Sequence, residues 1–189
     1  MQGHADIPLN PKGCAQALAI ARGLENESFA AIYSSDLQRA MQTAEPIASS
    51  HGLSIHGDPA LRERHFGVLQ ALTKEEAHLR HPEAARRHGS RDPDYAYDNG
   101  ESLVAFEQRI RKWMDALARR HIGGSVLVVT HGGVLDVAYR YATGMALTQP
   151  RNFALPNAAL NWLEADTDGW RLLLWADSTH LEQALDETS

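Results

Sequence analysis

The sequence predicts a three-layer α/β/α fold with a mostly parallel central sheet. Three observations carry that expectation. Short apolar, β-compatible runs alternate with helix-periodic stretches along the chain. The run Ser125–Thr130 (SVLVVT) is apolar and β-branched, as expected of a strand covered on both faces. Two of the runs end in turn-forming residues that open directly into helical patterns, at Ser34-Ser35-Asp36 and at His131-Gly132-Gly133. A length of 189 residues suits one domain spanning positions 1–189.

The elements follow in order. Asn10 is an N-cap with Pro11 at the first helical position, and Ala15, Leu18 and Ala19 continue a helix to about Gly23 or Leu24. Phe29–Tyr33 is a buried strand. Asp36 is the expected N-cap of a helix reaching about Ser50, with Ala40, Ala44, Ile47 and Ala48 facing inward. Leu53–His56 is a further short strand. Thr73-Lys74-Glu75-Glu76 forms a capping box for a short helix that His81-Pro82 ends, and the polar stretch from Arg86 to Asn99 is expected to be a surface loop. A long helix runs from about Ser102 to Arg120, with Leu103, Phe106, Ile110, Trp113 and Leu117 on one stripe. Ser125–Thr130 is the expected central strand, followed by a helix Val134–Thr143 with Gly144 at C′. Ala159–Ala165 and Trp170–Trp175 alternate around Asp168-Gly169, a hairpin signal. The segment 177–189 is polar and expected to be a flexible tail.

Composition narrows the function classes. An apolar fraction of 43% and a charged fraction of 22% fit a globular protein, and no apolar run approaches the length of a membrane span. A net charge of −6 argues against a nucleic-acid binder. The single Cys14 excludes a disulfide framework and fits a reducing, cytoplasmic setting. Ten histidines raise the question of a metal, but His78, His81 and His88 lack a carboxylate or thiolate at ligand spacing, so no metal is expected.

Chemistry is expected at the strand-to-helix junctions. His131 stands at the carboxyl end of a strand and before a glycine turn into a helix, where ligands of open α/β sheets bind. A helix N-terminus there favours an anion such as phosphate, and Gly132 and Gly133 let the backbone approach it. Arg39 falls in the first turn of its helix, where its charge opposes the helix dipole and a bound phosphate would compensate it; a surface pair with Asp36 is the alternative. Glu63, among bases in Leu61–Gly67, would be held protonated beside a phosphate and could act as a general acid, although a Glu between two Arg residues also suits a solvated charge cluster. Arg80, His81, Arg86, Arg87, His88 and Arg91 could form a cationic rim attracting anionic substrates, and suit a solvated basic face on a surface loop at least as well.

Five segments, in this order and spanning nearly the whole chain, resemble the histidine phosphatase superfamily, also called phosphoglycerate mutase-like: Gln2–Gly13, Ser34–Glu45, Leu61–Thr73, Asn99–Ser102 and Val128–Gly133. The resemblance implies phosphoryl transfer through a phosphohistidine without metal or cofactor, on a small phosphorylated metabolite. By motif position it makes Arg39 and His131 phosphate holders and Glu63 the proton donor. Gln2 and Gly3 match the segment that lines the substrate mouth, with Gly132 beside it. The resemblance also places an Arg-His-Gly nucleophile motif, at the end of a central strand, ahead of Gln2.

Here the sequence departs from the pattern. Its one Arg-His-Gly string, Arg87-His88-Gly89, follows no apolar strand and is set aside as the nucleophile. The expectation is therefore a chain shortened at its amino end by roughly 20 residues, a strand plus a loop, with a slot in the sheet beside Ser125–Thr130. Such a chain keeps part of the pocket and is inactive until the strand is restored. The short Thr73–Asn99 stretch favours a phosphatase over a phosphoglycerate mutase, while the mutase-like RERHFGVLQ wording keeps that activity as an alternative. A non-catalytic phosphate-binding domain and a metal-dependent hydrolase are the other readings.

Overall fold

The computed structural model describes residues 1–90 and 92–181. In chain order it contains α1 (Pro11–Gly23), β1 (Ala31–Ser34), α2 (Gln38–His51), β2 (Ile55–Gly57), single 3-10 turns at Pro59–Leu61 and Gly67–Leu69, α3 (Lys74–Arg80), α4 (Pro82–Ser90), α5 (Leu103–Arg120), β3 (Val126–Val129), α6 (Gly132–Thr143), β4 (Leu160–Asp166) and β5 (Gly169–Asp177). Strands β2, β1 and β3 form a parallel sheet in that spatial order, and β4 and β5 form a separate antiparallel hairpin.

β1 divides the core. Its residues alternate between two faces, as strand geometry requires. Ala31 and Tyr33 pack with Phe106, Ile110 and Val137 of α5 and α6, while Ile32 packs with Ile20 of α1 and Ile47 of α2. The same split continues in β3: Val126 and Val128 face the first cluster, Leu127 and Val129 the second. Helices therefore cover both faces of the parallel sheet, as the alternation of apolar runs and helical stretches predicts. A third cluster joins Leu69, Ala77, Ala84, Ala85 and Tyr97 under α3 and α4. No helix among the described residues is long and apolar enough to cross a membrane.

The helix ends mostly follow their sequence signals. Asn10 Oδ1 accepts from Gly13 N–H at 2.8 Å with Pro11 opening α1, and the Thr73–Glu76 capping box is reciprocal. Ser102 caps α5 through Ala105 N–H, and Gly144 ends α6 in the left-handed region.

Five expectations are corrected. Asp36 does not cap α2: Arg62 holds its carboxylate with bonds of 2.7 and 2.6 Å, and Asp6, from the opening turn, accepts from Gln38 N–H at 2.7 Å instead. Residues 86–90 are helical, not loop, because Pro82 opens a new helix and its Ala84 and Ala85 bury against the third cluster. The strand of Val126–Val129 is an edge strand of the parallel sheet among the described residues, and none of its four residues is fully buried. Both its faces are packed, but among the described residues it pairs with β1 alone, so the central place its composition predicts is not met on the second edge. Trp113, expected on the buried stripe of α5, is only partly buried; Met114 takes the inward place, and the Trp113 indole N–H bonds Asp58 at 2.7 Å. The hairpin extends to Asp177, and the chain after it stays packed: His180 is buried against Gly23, with Nε2 at 2.8 Å from the Ala158 carbonyl. Residues 182–189 of the expected tail lie outside the described residues.

One backbone feature is testable. Ala71 sits at φ +61°, the left-handed region that costs an L-residue energy, and its N–H bonds the Met1 carbonyl at 2.7 Å. Ala71→Gly is expected to stabilise the chain by about 1 kcal/mol, raising Tm by about 3 °C; a lower Tm would show that the position is not strained.

Candidate active site

The parallel register of β1 and β3 brings Ser34-Ser35 and Thr130-His131 side by side at the carboxyl ends of the sheet. Ser35 N–H bonds the Val129 carbonyl at 2.9 Å, and the His131 Nε2 lies 2.8 Å from Ser35 Oγ. Ser34 and Ser35 are fully buried and His131 is 8% exposed. Burial, reinforced by the positive charges of Arg39 and Arg109 and by His4, drives the imidazole pKa down to about 3, so the ring is neutral in the physiological range.

Glu63 arrives from the loop after the Pro59–Leu61 turn. Its Oε2 accepts from Gly133 N–H at 2.9 Å and its Oε1 from Arg64 N–H at 2.7 Å. Thus one of the α6 N-terminal donors expected to face phosphate is held by a carboxylate of the chain itself. Burial raises the Glu63 pKa above the usual range, against the two backbone N–H groups and the charges of Arg39 and Arg109, which favour the anion. Gly133 is required here: a Cβ at that position would lie 2.0 Å from Glu63 Oε1.

Arg39 projects from the first turn of α2, as its sequence position predicts, and it does not pair with Asp36. Its Nη1 and Nη2 donate to the Ala5 and Gly3 carbonyls, each at 2.8 Å. These bonds tie the opening turn to α2 and aim the guanidinium at the site. Gly3 adopts φ +54°, where a Cβ would meet the Gln70 side chain at 2.6 Å. Gln2, Gly3, Arg39, Glu63, His131 and Gly132 all line a single cavity of about 790 Å³. The sequence-derived set is thus brought together.

Four residues escaped sequence reasoning. His4 places Nε2 2.8 Å from the Glu63 carbonyl and stacks edge-on to His65, with its pKa lowered by burial. Ser35 is the partner of His131. Arg109, deep in α5, donates to the Ala60 and Arg62 carbonyls at 2.6 and 3.1 Å and pairs with Glu101 at 2.8–2.9 Å. Glu101 also accepts from His65 N–H at 3.0 Å, so the pair clamps both sides of the Glu63 loop. Burial alone would raise the Glu101 pKa, but Arg109 and the His65 N–H hold it below the usual range. His4, Ser35 and Glu101 lay in segments quoted for the family likeness without being singled out; Arg109, a helical arginine eight residues after Glu101, gives no local signal of its partner.

Arg87-His88-Gly89 lies in α4, where His88 Nδ1 is 2.7 Å from the Tyr97 hydroxyl, and not at the end of a strand. The cationic rim is largely compensated. Arg80 pairs with Glu76, Arg86 with Glu83, and Arg87 with Glu83 and Asp92, because α3 and α4 place them at helical spacing. Arg91 lies outside the described residues. His78 bonds the Lys74 carbonyl within its own helix.

The comparisons with known proteins agree with this geometry. The family model of the histidine phosphatase superfamily (branch 1) matches residues 1–178. Phosphoglycerate mutase-like protein 4 of Arabidopsis thaliana is 36% identical over 97% of this chain and 80% of its own length. The metal-independent phosphoserine phosphatase of the same plant is 37% identical over 96% of this chain and 76% of its own. Among solved structures, Bacillus stearothermophilus YhfR superposes with a TM-score of 0.88 at 30% identity, covering 96% of this chain and 90% of that one. The mycobacterial glucosyl-3-phosphoglycerate phosphatase Rv2419c superposes at 0.82 with 31% identity, covering 94% and 91%. With a family model matching residues 1–178, and phosphatases and phosphoglycerate mutase-like proteins as its relatives, the chain belongs to the histidine phosphatase superfamily, branch 1.

Proposed function

We propose that the pocket at the carboxyl ends of β1 and β3 binds the phosphoryl group of a small phosphate monoester and serves its hydrolysis through a phosphohistidine. The observation that supports this most is the convergence of Arg39, Glu63 and His131 on one cavity at the strand ends. The names of the phosphatase relatives support the same reaction class. Arg39 supplies fixed positive charge to phosphate oxygens, and the neutral His131 ring supplies a hydrogen-bonding edge beside it.

In the proposed chemistry a histidine nitrogen forms a bond to phosphorus as the ester P–O bond breaks. Glu63, whose pKa burial raises, gives its proton to the leaving alkoxide. Water then attacks phosphorus, the P–N bond breaks, and Glu63 takes up the water's proton as phosphate leaves. This reaction needs no metal.

Among the described residues His131 is the histidine that lines the cavity, and it is buried with Nε2 on Ser35 Oγ. The family likeness gives this ring a phosphate-holding role and not that of the nucleophile. We therefore propose that the 189 residues hold phosphate without turning it over, and that the imidazole comes from the strand and Arg-His-Gly motif that the family likeness places ahead of Gln2. Retention of phosphate on the protein for transfer to a second substrate would be the mutase alternative, distinguished by product analysis.

Three outcomes test this reading. Titration with inorganic phosphate is expected to show saturable binding that Arg39→Ala weakens by roughly 10–100-fold; an unchanged affinity would remove Arg39 from the site. Glu63→Gln should tighten phosphate binding severalfold at the alkaline end of a pH series, where an ionised carboxylate repels the anion. That advantage should shrink as pH falls, because the raised Glu63 pKa lets the wild-type side chain take up a proton; a pH-independent gap would contradict the assignment. Incubated with p-nitrophenyl phosphate, the 189-residue chain should release no nitrophenol above buffer. Clear turnover lost on His131→Ala would show that the chain supplies its own nucleophile.

A further inference from the structure

Arg109 reaches the backbone of the Glu63 loop as well as its Glu101 partner. Its Nη1 donates to the Ala60 and Arg62 carbonyls at 2.6 and 3.1 Å, and its Nη2 to the Glu63 carbonyl at 3.4 Å. His4 Nε2 lies 2.8 Å from that same Glu63 carbonyl. Glu101 holds the residue after next. Its Oε2 accepts from His65 N–H at 3.0 Å, and its own N–H donates to the His65 carbonyl at 2.9 Å. The Glu101 carbonyl accepts from Arg64 Nε and Nη2 at 3.1 and 3.0 Å. The Arg109 and Glu101 side chains are only 22% and 23% exposed, so water and salt screen their charges weakly.

In a trans peptide the carbonyl and the following N–H point in opposite directions. Holding the Glu63 carbonyl with Arg109 and His4 therefore turns the Arg64 N–H toward the Glu63 carboxyl, where Oε1 accepts it at 2.7 Å. Gly133 N–H takes the other oxygen at 2.9 Å. Arg109 thus controls the carboxyl through a peptide plane. Charge acts beside geometry. Arg39 and His131 line the cavity with Glu63, and His4 stacks edge-on to His65 behind it. Arg62 and Asp36 offset each other in a bidentate pair. Glu101 is then the carboxylate set against Arg109, whose charge otherwise favours the Glu63 anion.

We propose that Arg109 and Glu101 act together as positioning residues for Glu63: Arg109 fixes the Glu63–Arg64 peptide that orients the carboxyl, and Glu101 offsets the cation's charge at that carboxyl. The work is divided for a chemical reason. A lone guanidinium behind the loop would hold Glu63 ionised, and an ionised carboxylate has no proton to give. A neutral amide in its place has two N–H donors, too few to gather three carbonyls. The pair supplies the fork geometry of an arginine without its full charge. It also gives Asn99–Ser102 a purpose besides capping α5, for which Ser102 suffices. The use of Glu63 as proton donor rests on the proposed function, whereas the orientation and charge of its carboxyl do not.

The test is an NMR titration of the Glu63 carboxyl carbon in the isotope-labelled chain, assigned by its loss in Glu63→Gln and followed without phosphate. Glu101→Gln keeps the shape of the clamp and removes its negative charge, so it should lower the Glu63 midpoint by roughly one pH unit. Arg109→Gln removes the cation and should raise the midpoint by a similar amount. Loosening of the loop alone would admit water and lower the midpoint in every variant. Shifts of one sign in both variants, or no shift in either, would therefore overturn the proposal. Should Arg109→Gln not fold, Arg109→Lys decides, because it loosens the loop while keeping the charge. Its midpoint should stay nearer the wild type than that of Glu101→Gln; one lowered as far would overturn the proposal. Phosphate titration of the same samples separates the two ideas. Opposite midpoint shifts in a chain that binds no phosphate would leave the positioning pair standing and remove the proposed phosphate site.

Discussion

The pairing of β1 with β3 is the constraint on which the rest of the molecule depends. Four residues on each strand are matched in parallel, Ala31 to Val126 through Ser34 to Val129. That register separates two apolar clusters on opposite faces, each with its own pair of helices. It also sets the chemistry at the strand ends. One residue further along both chains, Ser35 and Thr130 leave the ladder, and His131 reaches Ser35 at 2.8 Å. A slip of one residue would exchange Ile32 and Tyr33 between faces and carry the imidazole away from the serine.

Charge organises the pocket around that scaffold. Arg39 and Arg109 approach the site from opposite layers, one from α2 and one from α5. Arg39 holds the opening turn through two carbonyls, and Arg109 holds the Glu63 loop through two more. Because both guanidinium groups are engaged with backbone, they are pre-organised cations with little reorganisation left to make. Burial first, and then the same field, keeps His131 neutral. Glu63 has the opposite environment: burial favours its protonated form, while Gly133 and Arg64 N–H groups keep it oriented. A buried carboxyl group and a neutral imidazole thus line the same cavity.

Much of this was legible in the sequence, for specific reasons. Asn10-Pro11, Thr73–Glu76 and Ser102 are local signals whose physics is complete within four residues, and each caps its helix as expected. Arg39 and His131 were legible because their positions at strand-to-helix junctions need only local patterning to identify. The failures are non-local. Asp36 has the composition of an N-cap, but Arg62, 26 residues on, competes for its carboxylate and wins with a bidentate pair. The Arg86–Ser90 stretch is polar enough to resemble a loop, yet Ala84 and Ala85 anchor it as a helix against Leu69 and Tyr97. Val126–Val129 has the composition of a strand buried on both sides and paired on both edges. The three-dimensional pairing supplies one of those edges, and the other faces a cavity. Arg109 was invisible because its partners, Glu101 and the Ala60 and Arg62 carbonyls, are gathered only by the fold.

Phosphate is expected at the junction of β1, β3 and α6, and a crystal structure of the 189-residue chain with bound phosphate or vanadate would place it. The anion should lie within hydrogen-bonding distance of the Arg39 guanidinium and the His131 ring, with the Glu63 carboxyl beside it and Gln2 and Gly3 at the mouth. An anion bound instead at α3–α4, among Arg80, Arg86 and Arg87, with the strand-end pocket empty, would contradict it.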